Sequence, residues 1–306
     1  MGLLLGKESK VVKDSEGHEH TLYRLFREIN VNGINKVEQG GWVENLANLV
    51  PTQTLSGVEE CWVADEAELF GDARLEWGAI IKDHARVCDK AIVSGDEWGV
   101  ATVEGNALVC GEACVAGSAC VSGNAVLKDK CVVYHVWITG HAEVSDEARF
   151  WGHGGLLCGN AKIKDHADVS CSVVDDNVVI KGDAEIFGVC ALDNVVIEDN
   201  VKIFGVCFGP AFNVLIKDNA RLGKNTQIGS KETDPADICV IVGGDTQWDF
   251  DSLYPVFKGT FGVEDTPELH EKLKTCHKDS AYKHMTDEER AKYDKEVTCE
   301  GLSIGD

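Results

Sequence analysis

The sequence predicts an all-β protein, a triangular parallel β-helix of about nine coils with an N-terminal cap and a mixed, helical C-terminal tail. Three observations predict it. Glycine makes up 32 of 306 residues while proline makes up only 5. Residues 101–127 read ATVEGN, ALVCGE, ACVAGS, ACVSGN, AVL, a period of six holding a small residue, a variable one, an aliphatic one and three turn formers. The same small and aliphatic positions recur on both sides of that stretch.

Alternation along a strand puts the small and aliphatic residues on the inner side and the residue between them on the outer side. Each hexad is then one short strand plus one corner, and three hexads close one coil. Followed along the chain, the coils start at Cys61, Ala79, Ala101, Ala119, Ala142, Ala161, Val178, Val195 and Val214. Stacked at about 4.8 Å, they give a prism on the order of 45 Å long. Spacing departs from six mainly between the third strand of one coil and the first of the next, so one edge is expected to carry the insertions.

The boundaries expected are a β cap over 1–54, the repeats over 55–230, and a strand plus two helices over 231–306. An uncapped solenoid end exposes core and unpaired strand edges, which calls for the cap. Gly40, Gly41 and Trp42 suit a tight turn followed by a lid. DICVIVGG at 237–244 reads as a last strand. Thr266-Pro267-Glu268 reads as a helix start, and 286–297 as a second, charged helix.

These hexads resemble those of the hexapeptide-repeat proteins, a family that includes many trimeric acyltransferases. The resemblance implies a left-handed, single-stranded β-helix. LYRLFREI at 22–29 and KVEQGGWVENLANL at 36–49, ahead of CWVADEAELFGDA, are similar to the YdcK-type proteins of bacteria and phages, whose repeats follow a GGW(V/I) module.

Composition excludes some functions. A net charge of −23 repels phosphate backbones, so direct nucleic-acid binding is not expected, whereas a basic protein would be attracted. No stretch reaches the roughly 20 apolar residues of a membrane span. An odd cysteine count of 13 with no CxxC pair argues against a disulfide framework and points to a reducing cytoplasm.

Outward positions nominate the binding surface. Two faces read as largely apolar, through Trp62, Ile80, Val179, Val196 and Leu215 on one and Ile92, Val132 and Phe208 on the other. They are expected to meet at the irregular edge, which adds Trp98, Tyr134, His135, Trp137 and Phe212. A surface of that extent calls for a cover, either a second copy, the chain's own C-terminal segment with Trp248, Phe250, Tyr254 and Phe257, or a foreign target, and a homo-oligomer, dimer or trimer, is the first expectation. Trp151, Phe187 and Phe204 fall at one equivalent corner position, with Phe70 above them.

For chemistry, His135 and His141 are the candidate general bases, since the acyltransferases of the family place a histidine between prisms. KDHA at 82–85 and 164–167 would set His84 and His166 at one corner but about five coils apart, so they cannot share a metal ion. Neither a metal site nor a cofactor is expected. Corner acids Asp65, Glu66, Asp146, Asp165, Asp199 and Asp218 would present carboxylates at regular spacing, a track able to mimic DNA phosphates. The resulting expectation is a non-enzymatic interaction protein with a rigid acidic β-helix, in one form a phage-type inhibitor of a host or defence protein. The alternatives are a hexapeptide acyltransferase and an oligomeric sponge for a small signalling molecule.

Overall fold

A computed structural model describes residues 2–32, 34–54, 57–191, 195–205, 207–208, 213–222, 227–228, 239–243 and 247–248. It is all-β, a parallel β-solenoid of about eight turns behind three antiparallel strands. The two tail helices expected over 266–276 and 286–297, like Phe250, Tyr254 and Phe257, lie outside the described residues.

Strands β1 (Leu3–Lys13), β2 (Glu19–Val31) and β3 (Ile34–Val43) form an antiparallel meander. A bulge between Arg24 and Phe26 turns two successive side chains, Arg24 and Leu25, inward. Leu25 thereby joins the solenoid core, while Leu22 packs with Trp42, Phe70, Cys88 and Cys110 in a second cluster. Gly40 and Gly41 form no turn. They continue β3, and a Cβ on either would fall 2.5 or 2.6 Å from the carbonyl oxygens of Val63 and Ala67. The last residues of β3, Trp42 and Val43, pair in parallel with Glu68 and Leu69 and so make the first rung.

The solenoid has three columns of parallel rungs. The outer residues of the first run Trp62, Ile80, Thr102, Cys120, Trp137, Leu156, Val173 and Cys190. The second runs Glu68, Arg86, Leu108, Val126, Glu143, Lys162, Val179, Val196 and Leu215. The third runs Arg74, Ile92, Cys114, Val132, Arg149, Asp168, Glu185, Lys202 and Arg221. Cys239–Val242 adds a rung to the second column beside Asn213–Ile216, so this segment continues the solenoid.

These registers correct the faces expected from sequence. Val132–Ile138 is one strand that crosses the corner, with Val132 in the third column and Trp137 in the first. Val136 stands where the repeat has a small residue, which hid this rung. From there on the hexads belong one face further round: Val179, Val196 and Leu215 stand in the column of Glu68, not of Trp62. With the corrected faces, second-to-third steps such as Glu68 to Arg74 and Glu143 to Arg149 stay at six. The third-to-first step alone varies repeatedly, from five at Val132 to Trp137 to ten at Ile92 to Thr102.

The other two corners are regular because one amide bond repeats along them, the residue after each corner donating to the corner carbonyl of the next coil, as Lys130 does to Asp146 at 2.8 Å. Each holds a residue at positive φ, supplied by Gly105, Gly123 and Gly140 on one and by Asp129, Asp146 and Asp165 on the other. Glycine accepts this region without strain, and aspartate tolerates it better than most residues. Aspartate also satisfies an amide in the neighbouring coil. The Asp129 carboxylate accepts from the Asp146 N–H at 3.3 Å, Asp146 from Asp165 at 3.3 Å, and Asp165 from Gly182 at 2.9 Å.

The meander is fastened to the solenoid by His20, whose ring lies 3.1 Å from Glu44 and 3.3 Å from Asp14, while Glu44 accepts from the Gly71 amide at 2.7 Å. Burial works against the charged imidazole, but the bonds to Glu44 and Asp14 outweigh it and raise the His20 pKa above 6.5. Asp14 is shifted down, the opposing effect of burial being outweighed by its bonds to His18 and His20.

Two outcomes are expected. Gly123→Ala puts a Cβ 2.9 Å from the Gly140 nitrogen at φ +68, so the urea midpoint should fall by the equivalent of about 1–3 kcal/mol; Glu112→Ala, at an exposed position, serves as the unaffected control. The stability His20 lends is full below its ordinary pKa and disappears as pH rises through the raised value, while the Asp14 share survives until strong acid. Amide exchange in β1, corrected for intrinsic rates, should therefore be slower near pH 6 than near pH 8, and His20→Gln should remove the difference.

Candidate functional site

All the exposed large hydrophobic residues of the described solenoid lie on one side. Trp77, Trp98, Val100, Tyr134, Trp151, Phe187 and Phe204 stand at the variable third-to-first corner, Trp137 on the adjoining first column and Val132 on the third. Tyr134 pairs with Trp151 and Phe187 with Phe204 in successive rungs, with Ser170 between the two pairs. Phe70 does not belong to this seam. It sits at another corner, fully buried beneath the meander.

Beside the seam, the first column carries no charge on its outer side. Ile80, Thr102, Cys120, Leu156, Val173 and Cys190 are half-buried, and Trp137 is 65% exposed. The other columns carry paired charges. Glu143 is bonded by Lys128 at 3.0 Å, Lys162 at 3.2 Å and Lys164 at 3.4 Å. Burial pushes the Glu143 carboxyl up, yet these lysines outweigh it and hold its pKa down at about 2. Lys202 bonds Glu185 at 2.7 Å on the third column.

The remaining sequence candidates are distributed as follows. Trp62 is 7% exposed, covered by the Arg27 guanidinium 4.0 Å above its ring, so it is not part of an open surface. Ile92 is half-buried on the third column. Val179 is half-buried on the second column, where Val196 and Leu215 are buried, so these three do not adjoin the seam. The Phe208 backbone is in a first-column rung opposite Ile228, and Phe212 lies outside the described residues. His141 is exposed at the first-to-second corner, across the first column from His135. His84 and His166 occupy different corners, since Asp83 follows the first column and Asp165 the second.

The corner acids do not form one track. Asp65 and Glu66 lie at the first-to-second corner, where Glu66 takes bonds from Arg24 at 3.0 Å and Trp42 Nε1 at 2.8 Å. The Trp42 and Arg24 bonds lower the Glu66 pKa against the effect of burial. Asp146, Asp165, Asp199 and Asp218 lie at the second-to-third corner, and each spacing follows from the amide ladder. Their regularity has a structural cause.

His135 differs from the edge residue expected. It is 6% exposed and holds φ 56 at a corner position that is glycine in neighbouring coils, Gly117 before and Gly152 after. Its Nδ1 lies 2.9 Å from Ser118 Oγ and accepts the Ser118 backbone N–H at 3.0 Å. Its Nε2 lies 3.2 Å from Asp96 Oδ2, which also accepts the Tyr134 hydroxyl at 2.9 Å. The ring stacks on His153, centroids 4.3 Å apart. Gly117 makes room, since a Cβ there would stand 2.5 Å from the imidazole.

Sequence reasoning missed Ser118 and Asp96. The signal for Asp96 was present, because the ten-residue step at Ile92 to Thr102 marks an extra loop in which Asp96 Oδ1 accepts from the amides of Trp98 and Gly99 at 2.8 and 3.1 Å. Ser118 reads as an ordinary turn former. Among the described residues no cluster of three or more histidine, cysteine, aspartate or glutamate side chains could hold a metal ion. No family model and no curated protein matches the chain.

Proposed function

We propose that this protein is a binding protein that uses a rigid β-solenoid as an interaction surface, and that its first partner is a second copy of itself docked on the uncharged first column and the aromatic seam. One observation carries the reading: on a chain of net charge −23, one outer column from Ile80 to Cys190 has no charged residue. Two such acidic molecules repel everywhere else, so the uncharged face is where they approach at least electrostatic cost. Rungs about 4.8 Å apart over a width of about 20 Å give an area on the order of 700 Å2 per copy. That is close to the roughly 800 Å2 per partner of a standard specific interface.

The acidic remainder favours a basic protein as a further partner. Carboxylates recur along the second-to-third corner, and long-range attraction would speed the encounter with such a partner. Left-handedness, membership of the hexapeptide-repeat proteins and the host-defence form of this reading rest on the sequence resemblance alone. A reducing, cytoplasmic setting accords with Cys88 and Cys110, which stack in one buried cluster as free thiols.

Light scattering at tens of micromolar should find a dimer or trimer. Trp137→Lys or Val173→Glu places a charge on the column and should yield monomer with unchanged circular dichroism. A wild-type monomer at that concentration overturns the self-association, and variants that stay associated move the interface elsewhere.

A further inference from the structure

We propose that Ser118 is a nucleophile activated by His135 and oriented through Asp96, able to open carboxylic esters that carry an apolar group. This goes beyond the binding reading and does not rest on it, because its atoms belong to one chain.

A backbone N–H can only donate, so the Ser118 amide at 3.0 Å requires a lone pair on His135 Nδ1. In the neutral ring the proton is then on Nε2, where Asp96 Oδ2 accepts it at 3.2 Å. The tautomer is thus set by the fold, with the basic nitrogen 2.9 Å from the Ser118 hydroxyl. A hydroxyl, a base within hydrogen-bond reach and a carboxylate that orients the base are the parts of an activated serine.

The carboxylate is also fixed. Two backbone amides hold one Asp96 oxygen and the Tyr134 hydroxyl holds the other. These bonds outweigh burial and keep its pKa low, so it faces the imidazole as an anion. The histidine backbone is held at φ 56 in a column where neighbouring coils use glycine. Trp98 follows in the same loop as Asp96, 73% exposed, and its neighbour Gly99 packs on the serine, a Cβ there standing 2.7 Å from the Ser118 Cβ, so this loop brings an apolar ring near the hydroxyl.

The step balances within these groups. Ser118 Oγ attacks the ester carbonyl carbon as its proton passes to Nδ1, where the Ser118 backbone N–H gives up its hydrogen bond, and the carbonyl π pair moves to oxygen. Asp96 stabilises the imidazolium through Nε2–H. Collapse breaks the bond to the alkoxy oxygen, which leaves with the proton from Nδ1. Water, deprotonated in the same way, then releases the carboxylic acid and restores the serine. Ser118 and His135 are the catalytic residues, and Asp96 is a positioning residue.

The test is labelling of the full chain with a fluorophosphonate probe, read by intact mass and peptide mapping, beside hydrolysis of p-nitrophenyl butyrate. One adduct per chain on Ser118 is expected. Ser118→Ala should abolish it. His135→Gly, which restores the residue that adjoining coils use and so preserves the fold, should slow it at least about 100-fold. Asp96→Asn should slow it and displace the pH profile of labelling, a readout that a purely structural role for Asp96 would leave in place. An unlabelled wild type, an adduct mapped elsewhere, or unchanged labelling in His135→Gly overturns the proposal. A labelled monomer would refute self-association and leave this inference standing.

Discussion

Everything in the solenoid depends on one backbone constraint: a corner residue at positive φ must sit directly above its counterpart in the next coil. In that conformation the next residue's amide reaches the neighbouring coil's corner carbonyl, as Asn106 does to Gly123 at 2.7 Å and His141 to Gly159 at 2.7 Å. Only glycine, or a short side chain able to satisfy a nearby amide, holds the place without large strain. The composition follows. Glycine is abundant because it occupies corners, and part of the acidity is there because aspartate can replace it while bonding the coil beyond.

The same constraint decided what could be read from sequence. The inward pattern was legible in the regular coils: Ala67, Leu69, Ala85, Val87, Ala107 and Val109 are all fully buried where the hexads put them. The faces were legible as far as Val132, even across the ten-residue step from Ile92 to Thr102, because a small residue still marked each rung. Val132–Ile138 breaks the count because His135 takes the corner in a five-residue step and Val136 replaces the usual small residue. One unrecognised rung then rotated the later assignments by a face, and it also put Gly155 and Ala191 on the outside where both are buried. Phe150 is a related case. It fills the core at 0% exposure because Gly155 gives up its side chain, a Cβ there falling 3.1 Å from the Phe150 ring. Such compensation joins residues that no local period connects. The Ser118, His135 and Asp96 group was illegible for the same reason, its members coming from three coils.

Charge takes on a different meaning once the columns are correct. On the second column the acids and bases neutralise one another across coils, as Arg86 does Glu68 at 2.7 Å and Lys181 does Glu198 at 2.8 Å. Exposed pairs of this kind contribute little individually to stability, but they make that face an aqueous one. The first column has no such pairs, so its exposure to water has no electrostatic compensation. Sequence alone gave two apolar faces; the registers leave one, with an aromatic border.

Why the seam, the buried histidine and the extra loop coincide has one physical answer. All three corners hold positive-φ residues, but two are locked at fixed spacing by an amide bond repeated from coil to coil, so a substitution there disturbs the coils on both sides. The third corner tolerates steps of five, six, seven or ten residues, and only there can the chain hold side chains that do not repeat. Trp98, Tyr134 and Trp151 use that freedom to cover surface. His135 uses it differently, turning its ring inward to meet a serine from the coil before and an aspartate from the loop. A partner needs only the uncharged column and its aromatic edge. Bond-making chemistry needs the lone pair on Nδ1, so the two readings share Trp98 at one irregular corner but turn on different groups.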